Sequence, residues 1–228
     1  MVTISLNKET SQSYIAFFDL DRTLIRTNSG KTLIKQAYKH KLLSRSDVLK
    51  GFYLSLLFRF NLREPTKIIN TLFAWMRGVS VNQMNEISEE LFSNHILLSI
   101  YDEVSEEINF HKSKGGKVVI LSSAILPVCK IVADYLKMDD IICSRLETEN
   151  GIYTGRPEGR LCFGFEKHIR LSEYCRENNI NTSDSWYYGD SIADSPALNT
   201  VGVPVCINPD RKLRKEALIK GWRILNWH

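Results

Sequence analysis

Two pairs of carboxylates in this chain each follow a short apolar run. Residues 14–18 (YIAFF) lead directly into Asp19, with Asp21 two residues on and Thr23 two further. Residues 185–188 (SWYY) lead into Gly189 and Asp190, with Asp194 four residues after Asp190. Carboxylates this close repel one another unless a cation or several hydrogen bonds offset their charge. Mg2+ suits such a set, because it takes oxygen ligands in octahedral geometry and keeps some of its water. Asp19, Asp21, Asp190 and Asp194 are therefore the candidate metal ligands, with Asp194 either on the ion or orienting the groups around it. The second turn also fits a helix start capped by Ser191 or Asp190, and capping and metal binding can share one turn.

Two further residues have the right chemistry for an anion. Residues 118–124 (VVILSSA) place Ser122 and Ser123 at the end of an apolar strand pattern. A hydroxyl there, followed by backbone N–H groups leading into a helix, makes a phosphate site. Ser122 is assigned to phosphate, and Ser123 either joins it or simply caps the helix. Lys167 lies near the start of a predicted helix in residues 162–171 (CFGFEKHIRL), where taken alone it reads as a solvated charge.

The elements that must position these residues follow from periodicity. An apolar run such as 14–18 reads as a buried parallel strand. Strands are predicted over 117–121, 141–144, 185–188, 203–207 and 222–225, with helices over 126–136, 165–178 and between the last two strands. Asn150 followed by Gly151 predicts a tight hairpin between 145–148 and 152–154. Alternating strands and helices imply an α/β fold, a three-layer doubly wound parallel sheet whose ligands sit beyond the C-terminal strand ends. Asp19, Ser122 and Asp190 each stand at such an end. From about 29 to 114 the apolar residues instead recur at helical spacing (Leu33 and Ala37; Ile68 and Leu72; Met84, Ile87 and Leu91), with breaks near Ser44, Pro65 and Ser80. An all-helical insertion is expected there.

The order Asp19, Asp21 and Thr23, then Ser122, then Lys167, then Gly189, Asp190, Ser191 and Asp194 resembles the four motifs of the haloacid dehalogenase superfamily. Helices between the first and second motifs are similar to the phosphoserine-phosphatase-like branch, subfamily IB. The resemblance implies a catalytic core of residues 1–27 and 112–228 and a helical cap of the C1 type over 28–111. It implies a Mg2+-dependent phosphomonoester phosphatase, with Asp19 as nucleophile forming an aspartyl-phosphate. Asp21 would be general acid and then base, its backbone carbonyl binding the metal. Thr23, Ser122, Ser123 and Lys167 would form the phosphate site, Thr23 also fixing the loop. Phosphoserine phosphatases carry a glutamate for the substrate ammonium nine residues after the nucleophile. That position is Asn28 here, which weighs against phosphoserine unless Glu64 or Glu86 substitutes.

Composition bounds the alternatives. Thirty basic and 26 acidic residues give a formal net charge of +4, too balanced to point at nucleic acid. Five widely spaced cysteines form no C-x-x-C pair, which argues against a zinc site or a disulfide framework and for reduced thiols in the cytoplasm. Residues 1–13 read as a loose leader without the apolar segment of a signal peptide. Residues 51–60 (GFYLSLLFRF) are too short to span a membrane, so stable insertion is not expected. With Phe73, Trp75 and Met76 they line either the core of the cap or a greasy entrance, so a lipid phosphate such as phosphatidylglycerol phosphate is an alternative to a small-molecule phosphomonoester. A phosphoryl-transfer enzyme and a non-catalytic phosphate-binding module on the same fold are the other readings.

Overall fold

A computed structural model describes residues 14–44, 46 and 73–228. Eight strands are found among them: β1 (Ile15–Phe18), β2 (Lys117–Ile125), β3 (Asp140–Ser144), β4 (Leu146–Glu149), β5 (Ile152–Pro157), β6 (Trp186–Gly189), β7 (Val203–Ile207) and β8 (Arg223–Leu225). The described α-helices are α1 (Ser29–Lys39), α2 (Val81–Leu91), α3 (Val104–Ser113), α4 (Leu126–Leu136), α5 (Phe165–Glu177), the single turn α6 (Ser195–Leu198) and α7 (Arg211–Lys220). Six strands form one parallel sheet in the order β3-β2-β1-β6-β7-β8. The remaining two form the antiparallel β4–β5 hairpin, whose turn places Asn150 and Gly151 at φ 51° and 76°. Two successive positive φ values are what a tight hairpin needs, and Asn and Gly tolerate them.

Strand alternation explains the three layers. Every residue of β1 is fully buried, with Ile15 and Phe17 facing one side of the sheet and Ala16 and Phe18 the other. The first pair packs with Leu171 and Cys175 of α5, Ala197 and Leu198 of α6, and Leu213 and Ala217 of α7. The second packs with Val104 and Ile108 of α3 and with Val128, Cys129 and Val132 of α4. A strand covered on both faces has no polar alternation, which is why 14–18 is apolar throughout.

Between β1 and β2 the chain leaves the sheet and comes back beside itself. Ile25 forms an antiparallel bridge with Ile100, Arg26 N–H donates to the Ser99 carbonyl at 2.6 Å, and Tyr101 N–H donates to the Leu24 carbonyl at 3.2 Å. All the regular structure described between these points is helical. Leu33, Met84, Ile87 and Leu91 are buried there and join the core on the α3–α4 face. Ser80 caps α2 by accepting from Gln83 N–H at 3.1 Å. Helix α3 begins within the 28–111 span and runs past its end, packing on the sheet, where the buried His111 bonds the hydroxyls of Tyr14 and Tyr188 at 3.0 and 2.7 Å. The expected leader 1–13, the segment 51–60, Glu64 and the break at Pro65 lie outside the described residues.

One strand is longer than expected. β2 continues through Ser122, Ser123 and Ala124, with its register to β3 shifting between Leu121 and Ile125. Helix α4 then starts at Leu126, with Ile125 in the capping position and a proline in the first turn. Ser123 is therefore not the cap of α4, and Ser122 is followed by three more strand residues rather than by a helix N-terminus.

Candidate active site

The C-terminal ends of β1 and β6 lie side by side, since Phe18 pairs with Tyr188 and Asp19 N–H donates to the Tyr188 carbonyl at 2.9 Å. Asp19 and Asp190 thus emerge next to each other from strands more than 160 residues apart in sequence. Beyond β1 the chain turns tightly, with Leu24 and Ile25 N–H both donating to the Leu20 carbonyl at 3.0 and 3.1 Å. Arg22 sits in the left-handed region at φ 59°, an uncommon conformation for a side chain of this kind. Beyond β6, Asp194 folds back so that Oδ2 accepts from both Ser191 N–H and Ser191 Oγ at 3.2 Å. Only glycine fits at 189, where a Cβ would stand 2.9 Å from the Asp194 side chain.

Lys167, from the first turn of α5, reaches under this edge. Its ammonium donates to Asp19 Oδ1 at 2.8 Å, to Asp194 Oδ1 at 2.7 Å and to the Tyr187 hydroxyl at 3.1 Å. The Tyr187 hydroxyl in turn donates to Asp194 Oδ1 at 2.8 Å. Lys167 is 3% exposed, so the reading of a solvated charge does not hold. Asp19, Asp190 and Asp194 are all buried, each with an oxygen within 4.8 Å of the others.

Burial with one cation for three carboxylates sets their ionisation. Burial pushes Asp190 up to about 8, helped by the charges of Asp19 and Asp194. Burial likewise pushes Asp19 up to about 7, against the opposing pull of Lys167. For Asp194 burial is outweighed by Lys167 and the Tyr187 hydroxyl, which hold it below the usual carboxylate range. For Lys167 the carboxylates outweigh burial and hold the ammonium form well beyond its ordinary range. Asp21 turns the other way: its Oδ1 accepts from Ser29 N–H, the first residue of α1, at 2.8 Å. Burial pushes its pKa up, and the Ser29 hydroxyl and N–H beside it moderate the rise.

The carboxylates line a cleft of about 190 Å3 together with Arg22, Asn28, Ser123, Phe163 and Lys167. Asn28, expected to act in substrate selection, also caps α1, its Oδ1 accepting from Lys31 N–H at 2.9 Å. Ser122 is buried, with its Oγ accepting from Ala124 N–H at 3.3 Å, and Ser123 is the hydroxyl of the pair that lines the cleft. Thr23 is fully buried in the turn and does not line the cleft; its Oγ1 has no hydrogen-bond partner among the described residues. Tyr187, Arg22 and Phe163 had no signal in the sequence beyond the aromatic doublet before Gly189.

A profile of the haloacid dehalogenase-like hydrolases matches residues 16–199, from β1 to just beyond α6. The chain belongs to this family. This hydrolase is 34% identical over 217 residues to an inhibition of morphological differentiation protein of Streptomyces azureus, covering 93% of the chain and 78% of the relative. It is 31% identical over 219 residues to a probable phosphatase of Mycobacterium tuberculosis (93% and 75% covered) and 28% identical over 224 residues to a histidinol-phosphatase of Neisseria meningitidis (93% and 98%). Among solved structures, a Bordetella pertussis protein of unknown function superposes with a TM-score of 0.86 at 21% identity, covering 94% of the chain and 98% of that protein. At that identity the likeness shows the fold alone. Family and relatives make this haloacid dehalogenase-like hydrolase a phosphomonoester phosphatase.

Proposed function

We propose that this phosphatase depends on Mg2+ and acts through an aspartyl-phosphate on Asp19. The observation that carries the reading is Lys167, buried between Asp19 and Asp194 and hydrogen-bonded to both. A lysine holding a nucleophilic carboxylate in place is also positioned to meet the phosphoryl oxygens that approach it.

The donor set fits a hard divalent cation: three buried carboxylates share a small volume, and burial together with the charges of Asp19 and Asp194 pushes Asp190 up to about 8. Asp19, Asp190 and Asp194 would hold the ion, with the backbone carbonyl of Asp21 as the further ligand the family resemblance implies. Bound there, it supplies charge that lowers the cost of bringing a phosphate dianion to a carboxylate.

The chain's own residues do the rest. An Asp19 oxygen attacks phosphorus, the bond from phosphorus to the leaving oxygen breaks, and Asp21 gives that oxygen its proton. Burial, which favours the protonated form of Asp21, prepares it for this step. Asp21 then takes a proton from water as the water oxygen bonds to phosphorus, releasing phosphate and the free Asp19 carboxylate. Ser122, Ser123, Thr23 and Lys167 are proposed as the phosphate-binding set, with Ser123 and Lys167 the two that line the cleft.

We further propose that the helical stretch within 28–111 acts as a cap, supported by the pairing of Ile25 with Ile100 at its base. The substrate is proposed to be a small-molecule phosphomonoester. No helix among the described residues is long and apolar enough to cross a membrane, and five buried free cysteines suit a cytoplasmic enzyme. Phosphate release from phenyl phosphate, phosphoserine, histidinol phosphate and phosphatidylglycerol phosphate, measured with Mg2+ and with EDTA, tests the reading. Release that persists in EDTA, or in Asp19→Asn, contradicts it.

A further inference from the structure

We infer that the substrate's leaving group carries an uncharged apolar body about the size of one ring, seated in a second cavity beside Asp21; this rests on the phosphatase reading above. The cavity has a volume of about 170 Å3 and is lined by Leu33, Ile34, Phe73, Trp75, Ala124 and Val128, with Ser29 and Ser123 at its polar end. A dry apolar cavity of about 150 Å3 is enough to hold a benzene ring.

Three observations join this space to the chemistry. Ser123 lines both the catalytic cleft and the apolar cavity. Asn28 lines the cleft and its neighbour Ser29 lines the cavity. Ser29 N–H donates to Asp21, the acid that must reach the leaving oxygen. The leaving oxygen therefore stands where the two spaces meet, and the carbon it carries is directed towards the apolar one.

Ser29 adds an independent mark. Its side chain is 1% exposed, and its Oγ, although near enough to Asp21 to hold that carboxyl's pKa down, makes no well-aligned hydrogen bond among the described residues. A buried hydroxyl left unpaired is unfavourable, and a polar atom of a bound ester would satisfy it. Among the described lining residues no side chain is charged, so an ammonium group entering the cavity would lose hydration and find no counter-charge among them. The cavity thus favours aryl or branched alkyl phosphates over amino-alcohol phosphates.

The test is binding to the wild-type chain with Mg2+, by calorimetry, of methylphosphonate, 2-aminoethylphosphonate and benzylphosphonate. Benzylphosphonate is expected to bind at least tenfold tighter than either of the others. Val128→Phe, which fills the cavity, should cut that advantage to under threefold. Trp75→Ala, which removes one half-buried wall, should also shrink it and serves if the first variant does not fold. Equal affinities for benzyl- and methylphosphonate, or an advantage unchanged in both variants, overturn the inference. In that case Mg2+-dependent phosphate release from phenyl phosphate still supports the phosphatase reading. No binding of any phosphonate together with no release from phenyl phosphate overturns both.

Discussion

Replacing Lys167 by methionine removes the ammonium and keeps most of the volume of the side chain. In the folded protein that ammonium stands 2.8 Å from Asp19 and 2.7 Å from Asp194. At an effective dielectric constant of about 20, each such pair attracts by about 6 kcal/mol before desolvation is counted. Desolvating three buried charges costs several kcal/mol per ion and cancels much of this. What the variant leaves behind is a set of buried carboxylates without a partner, a change that typically costs about 3–5 kcal/mol. For a domain of this length that is on the order of 6–20 °C in Tm. The pH dependence follows from the carboxylates. Asp19 lies at about 7 even with Lys167 present, so it gains a proton as pH falls through that value and needs the lysine less. Asp194, held low by Lys167, loses that support in the variant and also takes up a proton more readily. The difference between wild type and Lys167→Met should therefore be largest near pH 8 and narrow towards pH 5.5. Urea unfolding followed by tryptophan fluorescence in EDTA reads it directly. With Mg2+ the variant should also lose about 10²- to 10³-fold in kcat, the usual effect of removing one donor to a transferring group. A loss of stability under about 1 kcal/mol at pH 8, or a difference that grows on acidification, would refute this account of the buried ion cluster.

Other perturbations reach different parts of the structure. Asp190 is raised to about 8, so the fold holds a proton there that the unfolded chain releases near pH 4, and this contribution to stability falls as pH rises between those values. Asp190→Asn should accordingly melt higher than wild type in EDTA at pH 8.5 and nearly level with it at pH 5, while losing the rise in Tm that Mg2+ gives wild type. Asn28→Ala should cost about 1 kcal/mol through the lost cap of α1, and Asn28→Asp should restore it; equal thermal melts for all three proteins would contradict the cap. Gly189→Ala should cost about 1–3 kcal/mol, because its Cβ would press on Asp194, and should weaken Mg2+ binding as measured by calorimetry.

The sheet was legible because a parallel strand covered on both faces must be apolar throughout. Residues 14–18 and 117–121 announce themselves in this way, and the carboxylates fall where such strands stop. The limits of β2 were not legible. Ser122, Ser123 and Ala124 have no strand signature of their own and are held in the strand by tertiary pairing. The role of Asn28 as a cap was open to reading, since an Asn directly before a helical apolar pattern is a common helix start. Lys167 was the opposite case. Its local sequence reads as a surface helix, and only the fold, by bringing α5 under the ends of β1 and β6, turns it into a buried counter-ion. Ser29 and Tyr187 likewise depend on approaches between elements distant in sequence, which no periodicity encodes.

The central claim is the bond between Asp19 and phosphorus. The enzyme mixed with phenyl phosphate and Mg2+, quenched in acid within its first turnovers and digested, should yield the peptide containing Asp19 with the added mass of one phosphoryl group. Fragmentation should place that group on Asp19, and Asp19→Asn should show none. A phosphoryl group on another residue, or none at any quench time in an enzyme that is turning over, would contradict it.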